Sequence, residues 1–296
     1  MNFNQLRVFD ALARQRSFSK AAAELSLSQP TASVHIQNLE QDLGIKLVEQ
    51  LGKTLHLTPA GDLLFTYTKR IFTLANEATR AMEELKDKGK GKLQIGASTT
   101  PGTYLLPLVL SKYKTLHTQV DLHFEVANSA LITEKVAGNQ LDFGLVGHSS
   151  TKNEQLTYTP LWDDTLVAIF SPQNALAGLK NPSPSDLHAQ GLIMREQGSG
   201  TRRLIEQAFS KFGVELAPAM EFTGTEGVKQ AVIANLGVSI VSKASVSYEE
   251  QAGALIVMEI PELELSRQFY LVHHKDKTIT PLAQNFIFYL EQAANA

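Results

Sequence analysis

Two short segments combine hydroxyl side chains with glycine, and each lies between an apolar run and a helical pattern. The first is Ser98-Thr99-Thr100-Pro101-Gly102-Thr103, and the second is Gln197-Gly198-Ser199-Gly200-Thr201-Arg202. Hydroxyls and free backbone N–H groups at a helix N-terminus can bind an anion, which the helix dipole also favours. Ordinary capping by Ser and Thr explains either segment alone. The two together favour an anion-binding cleft.

Two more loops belong with these segments, because ligands of open α/β sheets bind beyond the carboxyl ends of strands. One ends the run LDFGLVGHSS, and the other begins a helix at Thr225. Arg202 adds charge to the site if its side chain turns inward, or else it faces solvent from the first turn of its helix. The predicted anion ligands are Ser98, Thr99, Thr100, Pro101, Gly147, His148, Gly198, Ser199, Thr201, Arg202 and Thr225.

A second kind of chemistry is indicated by SFSKAAAELSLSQPTASVHIQNLEQDLG, which runs from Ser17 to Gly44 as two helix-like blocks. In the second block the residues on one face are apolar, namely Ala32, Ile36, Leu39 and Leu43. This pattern predicts a helix-turn-helix, whose second helix places its first residues in the major groove of DNA. A three-helix packing unit that binds no DNA is the alternative.

The outward face of that second helix carries neutral groups that can read base edges. Gln, Ser, Thr and His can hydrogen-bond to bases, and the methyl groups of Thr31 and Val34 can contact thymine. No Lys or Arg occurs from Gln29 to Leu43, so flanking cations must contact phosphates, with Arg7, Arg16, Lys20 and Lys53 as candidates. The predicted DNA-binding residues are Lys20, Ser28, Gln29, Pro30, Thr31, Ser33, Val34, His35, Gln37, Lys53 and Thr58.

Composition narrows the class of protein. The chain of 296 residues is long enough for two or three domains. It contains no cysteine, which excludes disulfides, thiolate metal sites and a catalytic cysteine. Its histidines lack metal-ligand spacing, and neither a signal peptide nor a membrane-spanning apolar run is evident. We therefore expect a cytoplasmic protein with no cofactor, no metal and no membrane partner.

The elements that must position these residues follow from the pattern. Helices are predicted from Asn4 to Arg14, from a Ser17 or Ser19 cap to Leu25, and from a Ser28 cap to Gly44. A hairpin around Gly52-Lys53 follows, and Thr58-Pro59 begins a long helix. This helix carries apolar residues in a heptad pattern that favours a partner helix, at Leu64, Tyr67, Ile71, Leu74, Ala78, Ala81 and Leu85. Packing on its own domain is the alternative.

After the charged stretch KDKGKGK, strands and helices alternate in an α/β pattern that predicts parallel sheets with helical crossovers. The predicted limits are a DNA-binding domain over 1–58, a linker helix over 59–88, a hinge over 89–92 and an α/β domain over 93–296. Within the last of these, we predict a first lobe at 93–164 and 268–296 and a second lobe at 165–267.

The chain resembles the LysR-type transcriptional regulators over its whole length. The matching residues are Leu6-x-x-Phe9, the stretch from Ser17 to Gly44, and LTPAG from Leu57 to Gly61. The resemblance implies a winged helix-turn-helix, a linker helix that forms a dimer, and a two-lobed effector domain of periplasmic-binding-protein type. GASTTPGTYLLP and REQGSGTR are most similar to the branch that regulates carbon dioxide fixation or sulfur and cysteine metabolism.

The resemblance also implies the partners. They are double-stranded DNA with an interrupted inverted repeat, a second copy of the chain, a dimer of dimers, RNA polymerase, and a small anionic effector. An enzyme or a solute-binding protein of the same two-lobed fold is the alternative function. Members of the family often carry a cation in the recognition helix and an Arg before the wing, where this chain has Val34, Gln37, Asn38 and Gln50.

Overall fold

A computed structural model of the chain describes residues 1–51, 54–86, 90–147 and 153–294. They form two compact units, Met1–Met82 and Glu83–Ala296. No helix within the described ranges combines the length and apolarity needed to cross a bilayer.

The first unit begins with three helices, α1 (Phe3–Gln15), α2 (Phe18–Glu24) and α3 (Gln29–Leu43). The predicted caps are confirmed, since the Ser17 hydroxyl accepts from the Lys20 N–H and the Ser28 hydroxyl accepts from the Thr31 N–H. Gly44 ends α3 with φ +68°, a backbone conformation that favours glycine. The interior face is as predicted at Ala32, Ile36 and Leu39, whereas Leu43 is exposed.

A two-stranded antiparallel wing follows, made of β1 (Val48–Leu51) and β2 (Thr54–Leu57). The predicted turn residues Gly52 and Lys53 lie outside the described residues. The Glu40 carboxylate fastens the wing to α3, because one of its oxygens accepts from the backbone N–H groups of Leu47 and Val48 at 2.9 and 3.3 Å. The wing is therefore positioned by the C-terminal end of the recognition helix.

The long helix α4 (Pro59–Lys86) packs against the helical core of the same unit. Its N-terminus is capped by Thr58, whose hydroxyl accepts from the Gly61 N–H and donates to the carbonyl of Lys46. Leu64, Phe65 and Phe72 lie against the core of α1, α2 and α3. The buried Thr68 hydroxyl donates to Asp10 Oδ1 of α1 at 3.1 Å.

The second unit alternates strands and helices. In chain order these are β3 (Gly91–Ser98), a π-helical turn (Pro101–Leu105), α5 (Leu106–Leu116), β4 (Val120–Ala127), α6 (Ser129–Ala137), β5 (Phe143–Gly147), β6 (Leu156–Phe170), α7 (Pro184–Ala189), β7 (Ile193–Arg195), α8 (Gly200–Ser210), β8 (Met220–Phe222), α9 (Thr225–Ile233), β9 (Ser239–Ser242), α10 (Ser247–Gln251), β10 (Ile256–Met258), β11 (Ser266–His274) and α11 (Pro281–Ala294). Short 3₁₀ turns lie at Ala175–Gly178, Lys243–Ser245 and Pro261–Leu263.

The two lobes share one sheet, in which β6 is the common strand. In the first lobe the order is β6-β11-β5-β3-β4, and in the second β6 continues between β9 and β10. Strand pairing is parallel among β4, β3 and β5 and between β7 and β8. The prediction of parallel sheets is correct for these strands and wrong for β6, β9, β10 and β11, which pair antiparallel.

The chain crosses from the first lobe to the second at the point where β6 changes its strand-pairing partner. Asp164 and Thr165 still pair with β11, and Leu166 pairs with Ser242 of β9. Each lobe has its own apolar core on either side of this point, around Phe143 and Phe286 in the first and around Phe170 and Phe209 in the second. The predicted limits of the domains and lobes stay predictions.

Candidate anion pocket and nucleic-acid interface

The N-terminal half of α3 presents a polar surface. Ser28, Gln29, Pro30, Thr31 and Gln37 are exposed, and Ser33 and His35 are partly exposed. Val34 is 52% exposed, so its two methyl groups lie among hydrogen-bonding side chains. The helix therefore offers the donors, acceptors and methyl groups that contact base edges in a major groove.

Three of these residues have hydrogen-bond partners within the helix-turn-helix. The Ser28 and Thr31 hydroxyls are 2.7 Å apart, and the Ser19 hydroxyl donates to Gln29 Oε1 at 3.0 Å. The second bond fixes the amide orientation of Gln29 and leaves its NH₂ group free to donate to a base. Lys20 is exposed, and Lys53 lies outside the described residues. Thr58 serves as the α4 cap, with both its donor and an acceptor engaged.

A small polar pocket lies between the lobes of the second unit. The space inside it that a water-sized sphere can enter is about 10 Å³, which is room for about one water molecule. The start of the π-helical turn, the start of α6 and the start of α8 all open onto it. Its lining residues are Ser98, Thr99, Thr100, Asn128, Ser129, Arg195, Ser199, Gly200, Thr201 and Arg267.

Arg267 is the buried charge of this pocket. It lies at the start of β11, where Nε donates to Asp164 Oδ2 at 2.7 Å and Nη1 donates to the Thr201 hydroxyl at 3.1 Å. Its Nη2 is buried and has no hydrogen-bond partner among the described residues. Burial lowers the pKa of Arg267, and Asp164 partly offsets that effect. A guanidinium nevertheless stays charged in proteins, so this pocket-lining residue has a charged N–H donor without an acceptor among the described residues.

A second arginine, Arg195, holds the two lobes together. Its Nη2 donates to Thr99 of the first lobe at 3.0 Å, and its Nη1 donates to Thr225 of the second at 3.0 Å. Its charge is balanced by Glu196 in two hydrogen bonds. The pKa of Glu196 would be raised by burial, but the bonds from Arg195 outweigh this and lower it.

Further contacts cross the cleft at the same end. The backbone N–H of Ala130 donates to the carbonyl of Gly198 at 3.2 Å, and Asn128 Nδ2 reaches the carbonyl of Gln197 at 3.4 Å. The lobes are therefore in contact around the pocket.

Family models match both units. The chain matches "Bacterial regulatory helix-turn-helix protein, lysR family" over residues 3–62 and "LysR substrate binding domain" over residues 86–295. It is 35% identical to a RuBisCO operon transcriptional regulator of Allochromatium vinosum, over 99% of this chain and 97% of that one.

The chain belongs to the LysR family of transcriptional regulators. Membership favours a transcriptional regulator over the enzyme and solute-binding alternatives, and it confirms the winged helix-turn-helix followed by a two-lobed effector domain.

Other LysR relatives support the predicted branch. The chain is 31% identical to the regulator CysL of Bacillus subtilis over 97% of this chain and 98% of that one. The Synechocystis CcmR regulatory domain, solved in complex with 2-PG, superposes with a TM-score of 0.64 at 27% identity. The superposition covers 69% of this chain and 97% of the CcmR domain.

The pocket of this LysR protein contains most, but not all, of the predicted ligands. Ser98, Thr99, Thr100, Ser199 and Thr201 line it. Pro101 and Gly147 are buried, and Gly198, with φ +85°, forms the turn into α8. Thr225 is engaged by Arg195, and His148 lies outside the described residues.

Arg202 was assigned wrongly, since its side chain is neither in the pocket nor in solvent. It is buried, bonds Glu206 at 2.7 Å and the carbonyl of Arg195 at 3.0 Å, and also bonds Glu221. The pocket charges missed from the sequence are Arg195 and Arg267. Each stands at the end of a predicted strand, in GLIMRE and RQFYLVHH, and a cation at a buried strand end was the available signal.

The predicted dimer face of α4 divides in two. Leu64 packs on its own helical core, as the alternative interpretation proposed. Tyr67, Ile71, Leu74 and Ala78 are exposed in the single chain, with Leu74 at 59% and Tyr67 at 53%. The side chain of Leu85 lies outside the described residues. An apolar stripe thus runs along the helix on the side away from the core.

Proposed function

We propose that this LysR regulator is controlled by a small anion that binds in the pocket between its lobes. The proposal rests on one observation. Nη2 of Arg267 is a buried guanidinium nitrogen that has no hydrogen-bond partner among the described residues. A buried charged donor that lacks an acceptor is costly, and an anion in the pocket would supply the acceptor.

The surrounding groups suit the same ligand. Within the described residues the hydroxyls of Ser98, Thr100 and Ser129 have no protein partner, and all of them line the pocket. The N-termini of α6 and α8 add partial positive charge and backbone N–H groups. These donor groups suit an inorganic oxyanion or the phosphate or carboxylate group of a small metabolite, in keeping with the 2-PG bound by the CcmR domain.

An anion that binds in this pocket can change the angle between the two lobes. Arg267 and Asp164 form their ion pair at the point where β6 leaves β11 and joins β9. An anion held by Arg267 and by Ser199 of the second lobe and Ser98 of the first lobe would favour one relative arrangement of the lobes. It can do so only to the extent that it binds that arrangement more tightly.

The DNA-binding half reads its operator with neutral side chains. We propose Gln29, Thr31, Ser33, Val34 and His35 as base readers within an interrupted inverted repeat. Lys20, Lys53, Arg7 and Arg16 supply phosphate contacts, which position the protein without specifying sequence.

Assembly is proposed to use two surfaces. The exposed stripe Tyr67, Ile71, Leu74 and Ala78 pairs with the same stripe of a second copy. A groove between α5 and α11, flanked by exposed Leu108, Leu116 and Phe288, suits a second contact that would give a dimer of dimers. Contact with RNA polymerase and residence in the cytoplasm complete the proposal.

Calorimetry with sulfate, thiosulfate, O-acetylserine and phosphorylated sugars tests the effector site. Arg267→Met should abolish binding of the anion that the wild type binds, because it removes the charged donor. Thr100→Val keeps the shape of the side chain and should weaken binding about 10-fold through loss of one hydrogen bond. Thr133→Val, which removes a hydroxyl bonded within α6, is the matched control. Anion affinity that is unchanged in both pocket variants would refute the site.

A further inference from the structure

The hydrogen-bonding groups of the pocket are arranged as donors. We infer that the pocket selects the fully ionised, proton-free form of an oxyanion and discriminates against the same oxyanion carrying a proton. This inference rests on the proposed function, since it concerns the ligand of that pocket.

Several hydroxyl oxygens of the pocket already accept a hydrogen bond from the protein. The Thr201 oxygen accepts from Arg267 Nη1 at 3.1 Å, and the Ser199 oxygen accepts from the Arg202 N–H at 3.4 Å. Thr99 likewise accepts from Arg195 at 3.0 Å. Hydrogen bonds received from a cation or a helix N-terminus polarise a hydroxyl, so the protons of Thr201 and Ser199 are turned toward the pocket as strengthened donors.

Carboxylates are absent from the described lining of the pocket. The nearest acidic groups, Asp164 and Glu196, have their oxygens engaged. Asp164 accepts from Arg267 Nε at 2.7 Å and from the Ser242 hydroxyl at 2.5 Å. Glu196 accepts from Arg195 at 2.7 and 2.8 Å and from the Gly224 N–H at 3.2 Å. A proton on the ligand would therefore find no strong acceptor.

The remaining hydroxyls cannot remove this preference. Ser98, Thr100 or Ser129 can accept from a ligand O–H, but a hydroxyl turned that way gives the anion one donor fewer. The protonated ligand also carries less charge toward Arg267. Both effects lower its affinity relative to the ionised form.

A pair of probe anions separates the titration of the ligand from that of the protein. Sulfate keeps its charge between pH 5.5 and 8, whereas a phosphomonoester such as glycerol 3-phosphate has a second pKa of about 6. With that pKa, its dianion fraction falls about fourfold from pH 7.0 to pH 5.5. Any protein group that titrates changes the affinity for both anions, so the ratio of their affinities reports the ligand alone.

The experiment is calorimetry of the full chain with both anions at pH 5.5, 6.2, 7.0 and 8.0. We expect the affinity of the phosphomonoester relative to sulfate to fall about fourfold from pH 7.0 to 5.5 and to be level above pH 7.0. A ratio that is constant, or that rises toward low pH, overturns the inference and leaves the proposed anion site intact. Failure of both anions to bind at every pH overturns the proposed site and the inference together.

One variant provides an independent test. Ser129→Asp places a carboxylate acceptor at the first residue of α6, a position where helices favour Asp. It should weaken sulfate binding at least 10-fold and should reverse the pH trend of the phosphomonoester, because the protonated ester then gains an acceptor. Ser129→Asn, which is of similar size and uncharged, should leave the trend unchanged. An Asp variant with the wild-type pH trend would contradict the inference.

Discussion

The Tyr104 hydroxyl donates a hydrogen bond to the Glu226 carboxylate, which joins the first turn after β3 in one lobe to α9 in the other. Burial and, next, the hydrogen bond to Glu226 raise the pKa of Tyr104 to about 12, so the phenol is a neutral donor at physiological pH. Glu226 is also bonded to Lys229, which is buried and lies 2.6 Å from Glu249 and 5.4 Å from the centre of the Tyr104 ring. The hydrogen bond between Tyr104 and Glu226 is therefore a contact between the lobes that is separate from the anion pocket.

Removing this contact should weaken effector binding without touching the ligand. Tyr104→Phe keeps the ring and deletes the hydroxyl, which shifts the population away from the arrangement in which the lobes touch. Since a hydrogen bond to a charged group contributes about 1.5–3 kcal/mol, we expect a loss of effector affinity of roughly 10- to 150-fold. Calorimetry measures it, and small-angle scattering of the ligand-free protein should show a larger radius of gyration.

The control for this change is Tyr248→Phe, because Tyr248 is an exposed tyrosine of the second lobe. It should alter neither the affinity nor the scattering. Equal effector affinity for wild type and Tyr104→Phe would show that the contact does not contribute to lobe arrangement.

The sequence predicts the helices and strands of this protein better than it predicts which distant residues contact each other. The caps Ser17, Ser28 and Thr58 are local signals, since each hydroxyl binds a backbone N–H three residues ahead. The hydroxyl residues of the pocket were also predictable from a local pattern, in which hydroxyl residues and glycine precede a helix. In contrast, the pairing of Arg267 with Asp164 joins positions 103 residues apart, and no local pattern marks it.

Two errors have the same physical origin. Arg202 stands in the first helical turn beside the pocket hydroxyls, but its side chain forms ion pairs with Glu206 and Glu221 and does not line the pocket. Leu64 fits the heptad spacing of α4, but the helical core of its own unit covers it. In both cases the spacing is right and the tertiary neighbour decides the direction of the side chain.

Base reading by α3 is tested by Ser33→Ala. Ser33 is partly exposed on the outward side of the helix, and loss of a base contact should cost roughly 1–3 kcal/mol on the specific operator with little change on random DNA. Lys20→Ala should instead weaken both and lower the salt slope by about one unit, because it removes a phosphate contact. Mobility shifts at several salt concentrations measure both variants. Equal losses on operator and random DNA for Ser33→Ala would rule out base reading.

The exposed stripe of α4 is tested by Leu74→Asp. A carboxylate there would be desolvated between two helices, at a cost of several kcal/mol, so dimer formation and operator binding should be lost together. Asn76→Asp adds the same charge at another exposed position of α4 and should keep the dimer. Sedimentation velocity measures the assembly. A dimer of unchanged stability for Leu74→Asp would place the interface elsewhere.

The link between α3 and the wing is tested by Glu40→Gln. Burial acts to raise the pKa of Glu40, but hydrogen bonds from Lys46, Leu47 and Val48 outweigh it and hold the pKa below its ordinary value of 4.5. A carboxylate with a lowered pKa in the folded state stabilises the protein above its unfolded-state pKa, and this contribution is lost as pH falls through the folded-state value.

Glu40→Gln should therefore lower the free energy of unfolding by about 1–3 kcal/mol at pH 7, and the difference from wild type should shrink as pH falls below 4.5. Urea unfolding followed by circular dichroism between pH 3 and 7 measures this difference. Glu49→Gln, at an exposed residue of β1, controls for the loss of a charge and should be near neutral throughout. A difference for Glu40→Gln that is independent of pH would mean that ionisation of Glu40 does not hold the wing, since only the ionised carboxylate accepts all three hydrogen bonds.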